Sequence, residues 1–94
     1  MKFCYVVNEQ LKNGTTQPVM IFKTPVDAYH FVLCHGMLPS VNADNLASQE
    51  RAIMDGLEKG IVINFYPAAL NKTGINDDDL TESLSIGKAA VNGL

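Results

Sequence analysis

Two apolar runs near the start of the chain, Phe3-Cys4-Tyr5-Val6-Val7 and Val19-Met20-Ile21-Phe22, are separated by a polar stretch that holds Asn13-Gly14. An Asn-Gly pair readily takes the two positive-φ positions of a two-residue type I′ turn, so the pattern predicts a β-hairpin. With Lys12 facing Thr15, Val7 falls opposite Met20 and Tyr5 opposite Phe22, and their side chains are expected in the main core. Pro18 lacks a donor for a ladder bond, which predicts an edge position or the first residue of a strand.

After the hairpin the apolar spacing changes from two to that of a helix. Thr24-Pro25-Val26-Asp27 supplies an N-cap hydroxyl, a proline at the first helical position and a carboxylate at the positive end of the helix dipole. The helix is expected to run to His35 and stop at Gly36, with Pro39 beyond it. Val26, Tyr29, His30 and Leu33 form one stripe, flanked by Phe31 and Cys34, so burial on more than one side is expected. A second helix is predicted over 43–59, capped by Asn42 and stopped by Gly60, with Leu46, Ile53, Met54 and Leu57 inward. Gly56 inside it costs about 1 kcal/mol against Ala and implies a close backbone approach.

Residues 61–66, Ile-Val-Ile-Asn-Phe-Tyr, are rich in β-branched and aromatic side chains and end at Pro67, which predicts a third strand. Residues 68–76 read as a loop. Asp77-Asp78-Asp79 then opens a final helical stretch through about Ile86, since acidic residues suit a first turn. From Gly87 to Leu94 a less ordered tail is expected. The expected fold class is α+β: one domain over residues 1–94, in the order β-β-α-α-β-α. Its three-stranded, mainly antiparallel sheet carries the helices, and the third strand pairs with the first.

Composition narrows the function. A chain of 94 residues buries somewhat over ~60% of its unfolded surface, enough for one modest core. Net charge is −3, with one arginine and six scattered lysines, so no basic cluster releases phosphate counterions and nucleic acid is not expected as a partner. The longest later apolar run, Ile61 to Leu70, is broken by Asn64 and Pro67 and falls short of the ~20 residues a membrane span needs. Residues 3–7 are too few for a signal-peptide core. A cytoplasmic protein with reduced Cys4 and Cys34 follows from this reading, and Asn71-Lys72-Thr73 is then a chance glycosylation match.

Candidate chemistry is sparse. His30 and Cys34 share a helix face, and with His35 and Cys4 they would supply four soft zinc ligands. The paired short spacing of structural zinc sites is missing, and free cysteines are usually core residues, so core packing is expected. Cys34 with His30 would also make a thiolate–imidazole pair. Nucleophilic cysteines, however, favour helix N-termini, and Cys34 lies near the opposite end, where the dipole disfavours a thiolate. Asp77 to Asp79 with Glu82 fail as an EF-hand loop, because Asn76 stands where glycine is required. There is no glycine-rich phosphate loop. No metal and no cofactor are therefore expected.

The hairpin offers more. A sheet covered on one side alternates apolar with polar residues. Here the second face carries Cys4, Val6, Val19 and Ile21, flanked by Lys2, Asn8, Gln17 and Lys23. Those four residues are the expected interface, and a homodimer is the expected assembly, because three short helices can hardly cover both faces. The functional expectation is a small non-enzymatic protein–protein interaction module, an accessory or inhibitor protein of bacterial or phage type. The alternative is a small-molecule-binding or thiol-dependent enzyme domain using Tyr29, His30 and Cys34.

Overall fold

A computed structural model describes residues 2–40, 45–67 and 81–91. Along the chain they form β1 (Lys2–Leu11), β2 (Thr16–Phe22), α1 (Pro25–Cys34), β3 (Met37–Pro39), α2 (Leu46–Glu58), β4 (Ile63–Pro67) and β5 (Thr81–Val91). The strands make one sheet in the order β2-β1-β5-β4-β3, with every neighbouring pair antiparallel. The class is α+β as expected, but the sheet has five strands, not three.

The largest correction concerns the last element. A helix through Ile86 is expected from the stripe Leu80, Leu84, Val91, yet residues 81–91 are a strand. Leu84 and Ile86 alternate with Ser83, Ser85 and Gly87, a period of two, and Ser and Gly weaken a helix interior. Leu84 and Ile86 are buried. Gly87–Val91, placed in a tail by the sequence reading, continue the same strand. Asp77 to Asp79, the loop at 68–76 and the last three residues lie outside the described residues. The third expected strand, now β4, does not pair with β1. It pairs with β3 and β5, and β5 occupies the place beside β1 over the whole of Lys2–Leu11. β3 also went unseen, because three residues ending in Pro39 carry no readable period.

The hairpin register is right and its turn is different. Tyr5 stands opposite Phe22 and Val7 opposite Met20. In the loop, the Leu11 N–H donates to the Thr15 carbonyl at 2.8 Å and the Gly14 N–H donates to the Leu11 carbonyl at 2.9 Å. The Asn13 side chain accepts from the Thr15 N–H. Only Gly14, at φ +92°, takes the left-handed region; Asn13 does not. The connection is thus a three-residue loop ending in a left-handed glycine, not a type I′ turn. The pairing shifts by one residue here, and an irregularity at Val7/Asn8 shifts it back: Val7 faces Met20 while Asn8 faces Pro18, leaving Val19 bulged. β2 is an edge strand, as Pro18 required. Met20 is 47% exposed instead of buried, whereas Phe22 reaches α1, its ring 5.3 Å from that of Phe31.

α1 starts as the sequence dictates. The Thr24 hydroxyl accepts from the Asp27 N–H, Pro25 takes the first turn, and Gly36 closes the helix at φ +76°. Its buried side is Ala28, Tyr29 and Val32, rotated from the expected stripe, and His30 is exposed. α2 is capped by Asn45, whose side chain accepts from the Ser48 N–H at 2.8 Å. The expected cap Asn42 is not among the described residues, and Leu46 is solvent-exposed. Ile53 and Leu57 are fully buried. Gly56 faces side chains, not another backbone: a Cβ there would meet Ile63 Cδ1 at 3.5 Å, an ordinary van der Waals contact, so the close backbone approach expected from the sequence is not what this glycine makes.

The core joins Tyr5 and Val7 of β1, Ala28, Tyr29 and Val32 of α1, Met37 of β3, Ile53 and Leu57 of α2, Ile63 and Phe65 of β4, and Leu84 and Ile86 of β5. By register these strand residues share one side of the sheet. Both described helices therefore cover the same face. Lys88 fastens that arrangement: its Nζ donates to the Glu58 carbonyl at the end of α2 and lies 4.2 Å from the centre of the Phe3 ring.

Candidate interaction face

Because strand side chains alternate, burying Tyr5 and Val7 under the helices sends Cys4 and Val6 to the other face. Val6 stands opposite Ile21 on one side and Gly87 on the other, and Cys4 stands opposite Ala89. A Cβ on Gly87 would meet Val62 Cγ2 at 3.5 Å, which places Val62 next in the row. The result is a strip of Ile21, Val6 and Gly87 across β2, β1 and β5, continued by Val62 just before β4, with Cys4 and Ala89 alongside. Ile21 is 63% exposed and Val62 57% exposed.

The strip is uncharged. Lys2 and Lys23 flank it at the end where β1 begins and β2 finishes. Towards the hairpin loop the face turns polar: Asn8, Ser85 and Asn64 form a row by register, and Ser83 behind it is buried. On the helical face burial raises the Tyr5 phenol above its ordinary pKa, and the Glu58 carboxylate pushes it the same way.

Three of the four interface residues expected from the sequence, Cys4, Val6 and Ile21, thus lie together on the face opposite the described helices, while Val19 is bulged out of the ladder and has no partner across it. Gly87, Ala89 and Val62 were missed. The first two sit in the strand read as helix and tail, and Val62 directly precedes β4. The alternation from Ser83 to Val91 was the signal available for them.

The alternative constellation does not assemble in the same way. Tyr29 points into the core, its ring 6.1 Å from Phe65, while His30 and Cys34 are exposed on α1. His35 lies against Phe31, with ring centres 4.5 Å apart. Among the described residues no group of three or more His, Cys, Asp or Glu is placed to hold a metal ion. Both cysteines are free thiols; Cys34 is exposed and Cys4 partly buried, so the expected core packing fails for Cys34, which sits in the last turn away from the Ala28–Val32 side. A thiol reagent is therefore expected to modify Cys34 quickly and Cys4 slowly in the native protein, and both together in denaturant. Mass spectrometry showing equal native rates, or a Cys4–Cys34 bridge, would contradict this.

Comparison with family models, curated proteins and solved structures finds no match to the chain. Among the described residues no helix is long and apolar enough to cross a membrane.

Proposed function

We propose that the chain is a non-enzymatic protein–protein interaction module that works as a homodimer in the cytoplasm, a small accessory or inhibitor protein of bacterial or phage type. One observation carries the interaction reading: an uncharged apolar strip on a sheet face that neither described helix covers. Contiguous apolar surface is uncommon on soluble monomers and usually marks a contact site. A two-fold pairing satisfies the same strip on both copies with no second surface type. The accessory or inhibitor role rests on a sequence in which no catalytic motif stands out.

The test is the assembly state of the protein and of Ile21→Asp. Ile21 is 63% exposed, so an aspartate there leaves the core intact while placing a charge in the strip. Light scattering at high micromolar concentration is expected to give a dimer for the parent and a folded monomer for the variant. A monomeric parent, with Ile21→Asp behaving identically, would refute the homodimer.

A further inference from the structure

We propose that two copies pack the sheet faces that neither described helix covers against each other about a two-fold axis, giving four layers in the order helices, sheet, sheet, helices. This rests on the self-association put forward above and specifies its geometry.

Strand addition is blocked at both edges. β2 carries Pro18, which has no N–H to donate, followed by the Val19 bulge; β3 has three residues and ends in Pro39. Proline, a bulge and a very short strand are the devices by which edges avoid pairing with another chain.

Area favours the face as well. Five strands averaging about seven residues span roughly 24 Å in each direction, at ~4.8 Å between strands and ~3.3 Å per residue. That is on the order of 600 Å² per copy, so a pair reaches the ~1,200 Å² at which specific interfaces begin only by full face-to-face contact. One edge strand of seven residues offers far less.

Charge fits a second copy of this chain. On a protein of net charge −3, the strip carries no charge, so it meets its own image without repulsion. Lys2 and Lys23 lie at one end only, and a two-fold axis through the strip sends the two copies' lysines to opposite ends.

The experiment is light scattering on the full chain, on Val62→Lys and on Ile21→Lys, with circular dichroism as a check of folding. Val62 precedes β4 and is separated from β2 by β1 and β5, so a contact made through the β2 edge would not feel it. A dimeric parent and folded, monomeric forms of both variants are expected. A dimeric parent with Val62→Lys still dimeric overturns the face-to-face geometry while leaving self-association standing. A monomeric parent overturns both. Should Val62→Lys lose its fold, isotope-filtered NOEs between labelled and unlabelled parent copies decide. Contacts among the methyls of Val6, Ile21 and Val62 support the geometry, and contacts confined to β2 amides overturn it.

Discussion

A chain ended at Leu80, lacking only residues 81–94, is expected not to fold. β5 is the middle strand, and it alone joins the β2–β1 ribbon to the β4–β3 pair. Its removal takes away Leu84 and Ile86, each worth about 1.5–3 kcal/mol of burial. It also uncovers the flanks of Tyr5, Val7, Ile63 and Phe65. A domain of this size has only ~5–15 kcal/mol to lose, so the sum removes most or all of it. Circular dichroism and amide chemical-shift dispersion are the measurements. A truncated chain with native-like dispersion and a cooperative melt would show that β5 is not the centre of the sheet. The same experiment separates the strand from the helix expected on sequence grounds, because a peripheral terminal helix would be far less costly to lose.

Phe65→Ala is expected to cost about 3–5 kcal/mol, the range for deleting a fully buried aromatic ring. Phe65 is 0% exposed, pairs with Leu84 across the ladder, and lies against the Tyr29 ring of α1. The next residue, Tyr66, points to the opposite face and is 49% exposed. Tyr66→Ala should therefore change the stability of the isolated chain by under ~1 kcal/mol. Urea unfolding compares the two directly. Equal losses at these neighbouring positions would mean that β4 is rotated or that its outer face is also packed.

How much of this was legible in the sequence depended on whether the signal was local. Thr24-Pro25 and Gly36 fixed α1, because capping depends on residues within one turn. The Tyr5–Phe22 pairing also came through, although by an unforeseen route, since the three-residue loop displaces the register and the Val19 bulge restores it. A two-residue turn and a loop-plus-bulge predict the same inner pairs, so the outcome could not distinguish them. β5 was misread because three apolar residues satisfy a helical spacing, while the competing alternation used serines and glycine, which carry little hydropathy contrast. Strand order was out of reach for a different reason: once β5 is read as a helix, nothing remains to stand between β1 and β4. The candidate face was found in part, from the absence of polar alternation at Cys4, Val6, Val19 and Ile21. Its centre, at Gly87 and Ala89, was hidden by the same misreading of β5.

The position of β5 also has a kinetic side. It sets Lys2 opposite Val91, so the middle of the sheet is made from segments separated by nearly the whole length of the chain. The β1–β2 ribbon can form within ~1–10 μs, as isolated hairpins do. The β1–β5 ladder must first close a loop containing both helices, and topologies dominated by such distant pairings fold in ~ms to s. During that interval the inner edge of β1, sealed in the native sheet, stands open with neither proline nor bulge to guard it. Intermolecular strand pairing is thus a hazard of the refolding chain at high concentration more than of the finished fold.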